Sequence, residues 1–266
     1  MNVILAGNEG AIYLRDNEKI KIPYNNIFKD ISIIKLSDWE TYEGYPNRDS
    51  IKYKELYNLN QIKSLKRGTL RNKSFCKTWS LLIDIGLTDN LNKINNSNKM
   101  SYFDFFNYNI KAKNFDELKQ ILNKEYDISP KSQEFKNLEW SGFFSNKLIE
   151  IKNGTFSDFL LSILKDKWTL EKTDVDVIVM VHLFIYKSKN KLKKLMSYLK
   201  IEGEDNIYTA MSKTVGLPIV ALIEYLISTN FNQSGIHLPF DKKIYEPVLK
   251  KLNELNINFT EKEINI

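Results

Sequence analysis

The sequence has a single cysteine, Cys76, so no disulfide can form within the chain. That usage suits a reducing compartment, and a cytoplasmic protein is expected. There are only two histidines, His182 and His237. They lie far apart, and with Cys76 they have no metal-ligand spacing, so neither a metal site nor a Ser-His-Asp arrangement can be argued from them. His182, in an apolar run, reads as a core histidine. Apolar runs such as VIVMV at 177–181 are far shorter than a bilayer requires. The opening residues MNVILAGNEG lack the basic start and longer apolar run of a signal peptide. No membrane contact is expected. No P-loop occurs. VILAGNEGA at 3–11 carries Gly7 and Gly10 but no third glycine, and AIYLRDNEKIKI after it alternates like a hairpin. A dinucleotide phosphate would find no helix start there.

What is present in excess is positive charge. Lys and Arg number 39 against 33 Asp and Glu, a formal net charge of +6. The lysines are spread along the chain, with one local cluster, KSKNKLKK at 187–194, that reads as a solvated hairpin tip. Scattered lysines do not make a basic face, so no nucleic-acid partner is expected.

The length, 266 residues, suits one large or two small domains. Residues 11–22 read as strand, turn, strand, with Asp16-Asn17 at the turn. WETYEGY at 39–45 is extended. SIKYKELYNL reads as a helix from a capping Ser50. IKSLKRGTLR at 62–71 reads as strand then loop, and 72–87 as a helix ending at Gly86. The polar stretch TDNLNKINNSNK at 88–99 is the best internal boundary. Residues 100–168 hold three helical candidates, with starts at Asn114 and at Thr155 or Ser157. Then DVDVIVMVHLFIY (174–186) and LKKLMSYLKIEG (192–203) read as a long hairpin. Helices over 212–227 and 241–255, an extended GIHLP (235–239) and a strand INFTE close the chain. The fold class is α/β, or α+β: a mixed sheet with helices, interrupted by an all-α insert.

Three stretches are unusual. In PNRDS (46–50), Pro46 stiffens a corner that needs no arginine, and Asp49 or Ser50 can cap the following helix. Asn47 and Arg48 are left exposed. Arg48 either grips a carboxylate or phosphate with two parallel hydrogen bonds or pairs with an acid of its own fold. SLKRGTLR (64–71) adds Arg67 and Arg71, or is a basic strand end. In TAMSKTVGLP (209–218), Gly216 and Pro218 precede an apolar helix. Free N–H groups at such a start favour an anion, unless the start merely packs on a sheet.

In this order, YEGYPNRDS, LKRGTLR, VDVIVMVH, TAMSKTVGLP and GIHLPFDKKIYEPVLKKL resemble the saccharopine dehydrogenase family, of the NADP-using, glutamate-forming type. The resemblance covers nearly the whole chain, with gaps in the helical insert. It implies a domain like the C-terminal domain of glyceraldehyde-3-phosphate dehydrogenase. Residues 1–99 and 169–206 would form an α/β substrate-binding and dimerisation domain, and 100–168 the helical insert. Residues 207–266 would pack against a nucleotide-binding Rossmann domain that the sequence lacks. The resemblance further implies substrate contacts at Asn47, Arg48, Thr214 and Gly216, with Arg67, Arg71 and Lys213 as additional candidates. Lys213 stands where the family pattern has Arg, and lysine has no bidentate fork. The implied reaction is reduction by NADPH of the imine of glutamate and aminoadipate semialdehyde to saccharopine, or the reverse. NADP would be bound by the complete enzyme and not by this chain alone. A homodimer is implied, together with a separate Rossmann-domain chain as a partner. The alternatives are a non-catalytic dimerisation or interaction remnant and a related polyamine-forming dehydrogenase.

Overall fold

The computed structural model describes residues 1–95, 99–229, 231 and 234–264. They divide into two compact units, 1–169 and 170–266. This division differs from the grouping drawn from the sequence, which set 1–99 with 169–206 and held 100–168 apart. The physical reason is a shared core: Ile4, Tyr45, Trp79 and Leu82 belong to one buried cluster with Phe105, Leu118, Leu138 and Phe159.

In the first unit, β1 (Ala11–Arg15) and β2 (Glu18–Ile22) form the expected hairpin. Asp16 and Asn17 both take positive φ, 48° and 70°, as a two-residue turn with the right-handed strand twist demands. The residues before it, 2–9, form successive turns instead of an apolar strand, and no helix follows Gly10. A second sheet, ordered β3-β4-β6, contains β3 (Ser32–Lys35), β4 (Thr41–Pro46) and β6 (Gly68–Asn72). The two-residue β5 (Arg48–Asp49) turns away from β4 and pairs parallel with β1.

Residues 62–71 therefore run opposite to expectation: the loop comes first, and Gly68 opens the strand. A Cβ at Gly68 would stand 2.4 Å from the Tyr45 carbonyl oxygen, so only glycine permits this approach. The helix expected from Ser50 is the short α1 (Lys52–Leu56). It is followed by α2 (Phe75–Asp84), after which Gly86 takes φ 76°.

The strands β7 (Lys93–Asn95) and β8 (Asn153–Thr155) pair across the helical segment of α3 (Tyr102–Asn107), α4 (Phe115–Tyr126) and α5 (Gln133–Trp140). Then α6 (Phe156–Trp168) ends the unit. Asn114 caps α4 and Thr155 caps α6, as their positions predict. α5 escapes a periodicity reading because Phe135 and Leu138 are its only buried residues.

In the second unit, β9 (Val177–Ser188) and β10 (Lys191–Glu202) pair over their full length about Lys189-Asn190. Then come α7 (Ala210–Ser228), α8 (Lys242–Glu254) and β11 (Thr260–Ile264), which pairs with β10. The piece expected at 235–239 is not a strand. By length and composition α7 could cross a membrane, with 19 residues and a mean hydropathy of 1.5. The expectation that no stretch reaches that length is thus corrected, because the helix takes in Ser212, Lys213 and Thr214 before its apolar run. In this structure α7 packs against β9, β10 and α8. Only Ala210 and Ala221 of it are buried.

Candidate functional site

The corner after β4 is built by hydrogen bonds to its flanking loops. The Asn47 backbone N–H donates to the Arg67 carbonyl at 3.3 Å, and its side-chain amide donates to Thr69 Oγ1 at 3.1 Å. Ser50 is buried, and its backbone N–H donates to the Ile12 carbonyl at 2.7 Å. Its hydroxyl accepts from the Arg67 N–H at 3.0 Å. Ser50 is therefore a tie between corner and loop and not a helix cap. Asp49 Oδ1 accepts from the Ile51 N–H at 2.8 Å, so the turn-closing role falls to Asp49 alone.

Arg48 sits between these anchors with φ 58°, a left-handed conformation that is costly for a residue with a long side chain. Its backbone pairs with β1, but its side chain is exposed, and no hydrogen bond or ion pair to its guanidinium is found among the described residues. The neighbouring arginines are held. Arg67 Nη1 donates to the Tyr53 hydroxyl at 2.9 Å, and its guanidinium lies 5.2 Å from that ring's centroid. Arg71 lies 5.3 Å from the Phe75 ring centroid and donates to the Leu70 carbonyl. Asn47, Arg48 and Arg67 thus lie at adjoining ends of β4, β5 and β6, with Thr69 and Tyr53 as supports that sequence reasoning missed, whereas Arg71 lies three residues past Gly68 along β6, opposite Glu43. β4 and β6 are directly paired there, Pro46 opposite Gly68 and Glu43 opposite Arg71.

Opposite Arg71, Glu43 is 8% exposed. Its carboxylate accepts from the Ser74 N–H at 2.8 Å and the Cys76 N–H at 3.0 Å, holding the start of α2. Cys76 is fully buried. Burial first, and the nearby Glu43 carboxylate second, push its thiol up to about 12. It is a packing group and not a nucleophile.

The TVG stretch is placed differently from expectation. α7 begins at Ala210 with Thr209 as its cap, so Gly216 and Pro218 lie inside the helix. The N–H groups of an anion-binding start are those of residues 210–212, and they are filled from within the chain. Asp176 accepts from Ala210 N–H at 2.6 Å and Met211 N–H at 2.9 Å, and Thr209 Oγ1 accepts from Ser212 N–H at 3.0 Å. A Cβ at Gly203 would stand 2.3 Å from Asp176 Oδ1, so glycine there lets the carboxylate in. The Thr214 hydroxyl donates to the Ala210 carbonyl at 2.8 Å, and Lys213 pairs with Glu204 at 2.6 Å. The helix-end role expected of Thr214 and Gly216 is corrected accordingly: Asp176 already occupies that position. No spacing rule points to Asp176, because it lies 34 residues before the N–H it caps.

Nor do the residues present fit a dinucleotide phosphate. Gly7 and Gly10 precede a hairpin, and a Cβ at Gly10 would meet the Ile22 carbonyl at 2.7 Å, so this glycine serves a close backbone approach. Among the described residues no group of three His, Cys, Asp or Glu side chains could hold a metal ion.

A family model described as the saccharopine dehydrogenase C-terminal domain matches residues 1–257. The chain is 25% identical over 262 residues to saccharopine dehydrogenase (NADP(+), L-glutamate-forming) of Pyricularia oryzae, covering 95% of this chain and 58% of that protein. It is 30% identical over 226 residues to the mitochondrial alpha-aminoadipic semialdehyde synthase of Bos taurus, covering 82% of this chain and 24% of that one. The solved apo saccharopine dehydrogenase (L-Glu forming) from Saccharomyces cerevisiae shares its fold, with a TM-score of 0.85 at 23% identity. That match covers 99% of this chain and 61% of the solved one, so the chain spans less than two thirds of these relatives' length.

Proposed function

This chain belongs to the saccharopine dehydrogenase C-terminal domain family, and from that premise we propose that it is the substrate-binding and dimerisation part of a saccharopine dehydrogenase-type oxidoreductase. The proposed overall reaction is NADPH-dependent reduction of the imine of glutamate and aminoadipate semialdehyde, or its reverse, in the cytoplasm. The cofactor is held by a Rossmann part outside residues 1–266. What this chain supplies is a grip on anionic ends.

The observation that carries the reading is Arg48, an exposed guanidinium with no partner among the described residues, on a corner fixed from both sides. Saccharopine carries three carboxylates, and a planar guanidinium takes a carboxylate through two parallel bonds. Arg67 adds positive charge beside the corner, and its aromatic neighbour Tyr53 limits how far it swings, while Arg71 contributes from further along β6. Thr214, Gly216 and Lys213 carry less of the proposal, because α7 starts ahead of them and Lys213 is paired.

Titration calorimetry with saccharopine, with a relative's nucleotide-binding part supplied, tests this. Arg48→Ala is expected to weaken binding about tenfold to hundredfold, the worth of a charged hydrogen bond at about 1.5–3 kcal/mol. Absent binding by the wild type, or equal affinity in Arg48→Ala, overturns the proposal. A second reading, a non-catalytic interaction remnant, draws support from the exposed apolar residues of α7, among them Val215, Ile219 and Ile223. Turnover on mixing with the nucleotide-binding part would refute it.

A further inference from the structure

Ten residues other than glycine take positive φ among the described residues. Six of them are Asn or Asp: Asp16, Asn17, Asn58, Asp127, Asn190 and Asn256. That is the usual choice, because their short polar side chains tolerate the left-handed region. Ser74 stands before α2, Lys111 closes the turns after α3 with its N–H on the Asn107 carbonyl at 2.8 Å, and Lys189 lies in the β9–β10 turn. Arg48 has none of these roles. It lies in the paired β5, where the chain leaves the β3-β4-β6 sheet for the β2-β1-β5 sheet. Asparagine or glycine would make this crossing at less cost, so the fold does not explain the arginine.

Strain of this kind persists only where the surroundings hold it. Two segments do so. On the β1 side, Arg48 pairs opposite Ala11, and the Ser50 N–H donates to the Ile12 carbonyl at 2.7 Å. On the β6 side, the Asn47 amide donates to Thr69 Oγ1 at 3.1 Å, and Ser50 Oγ accepts from the Arg67 N–H at 3.0 Å. Gly68 lets this second segment come close. Among these anchors Asn47–Thr69 alone joins two side chains, so it can be removed without touching the main chain. It ties down the residue directly before the strained one.

We propose that Thr69 is a positioning residue: through Asn47 it holds Arg48 in its left-handed conformation, so that the guanidinium meets a carboxylate already aimed. This rests on the carboxylate grip proposed for Arg48 above, and it changes the role of Asn47 from substrate contact to tether. Preorganisation acts on affinity. An arginine on a loose corner loses backbone freedom when its ligand arrives, whereas one on a held corner has lost it on folding. The strain thus favours binding and costs stability, and the two effects can be measured apart. Glycine at position 48 would relieve the strain, and alanine would not, because alanine keeps the Cβ that the left-handed region disfavours.

Titration calorimetry with saccharopine, with a relative's nucleotide-binding part supplied, tests this on Thr69→Val and Thr69→Ser. Valine keeps the shape and the strand preference but loses the acceptor, and serine keeps the acceptor. Thr69→Val is expected to weaken binding about fivefold, the worth of one neutral hydrogen bond, and Thr69→Ser to stay within about twofold of the wild type. In the Arg48→Ala background Thr69→Val is expected to weaken binding no further, whereas a merely structural role would give the same loss in both backgrounds. Without ligand, Arg48→Gly is expected to unfold at a higher urea concentration than Arg48→Ala. Absent binding by the wild type overturns the carboxylate grip and this inference with it. Where the wild type binds, four results each overturn this inference alone: full affinity in Thr69→Val, an equal loss in Thr69→Ser, an equal loss in the Arg48→Ala background, or Arg48→Gly no more stable than Arg48→Ala.

Discussion

Cys76 is legible in the sequence as a lone thiol, but its surroundings are not. They come from Glu43, 33 residues earlier on a strand, whose carboxylate reaches the start of α2. The thiol raised to about 12 is still protonated at a pH where the unfolded chain's thiol, at about 8.5, has ionised. The folded state thus binds one proton more in that window. Stability is intact below about pH 8.5 and falls as pH rises towards the folded value. In urea titrations followed by tryptophan emission, the wild-type midpoint is expected to drop above that pH, and Cys76→Ala to drop less. Identical slopes in the two proteins would remove the argument. Arg48 was the opposite case. Its oddness showed directly in PNRDS, because a proline-stiffened corner gives an arginine nothing to do for the fold. The supports Thr69 and Tyr53 did not show, because they approach from other segments through side-chain geometry.

Among the elements, hairpins were the most legible and the start of α7 the least. Asp16-Asn17 and Lys189-Asn190 sit between runs of β formers, and those local rules need no tertiary information. At α7 the same rules misled. Gly216 and Pro218 read as punctuation, yet the helix runs through both. Pro218 deprives the Thr214 carbonyl of its usual N–H partner, a cost that α7 bears within its packed surroundings. What fixes the true start is Thr209 together with Asp176. Asp176→Asn keeps the shape and removes the charge beside the helix start. It is expected to destabilise the second unit by about 1 kcal/mol. Amide exchange at Met211 and Ser212 should quicken before that of the middle of α7. An unchanged exchange pattern would mean that the carboxylate contributes little.

At the scale of the whole molecule, burial is uneven. The main buried cluster lies wholly within residues 1–169. In the second unit the buried apolar residues are few, including Met196, Leu199, Ala221 and Leu252, while Ile219, Ile227 and Ile236 stand exposed. All four tryptophans, at 39, 79, 140 and 168, fall in the first unit. Tryptophan emission therefore reports that unit alone, while circular dichroism reports both. At low protein concentration the dichroism is expected to be lost ahead of the emission change as urea rises, giving two transitions instead of one. Coincident curves would show a single cooperative body. The mixed α/β class was legible from the alternation of elements. Where the helical segment 100–168 belongs was not, because its core partners are scattered over the preceding chain, from Ile4 through Trp79 to Ile94. The contiguity of the units has a consequence for how the chain is made. An inserted domain would leave residues 1–99 waiting on a ribosome for segments still to be translated. Here the first unit can close its core before the second emerges, since domains fold as units and N-terminal ones first. β9 then meets its hairpin partner β10 within microseconds.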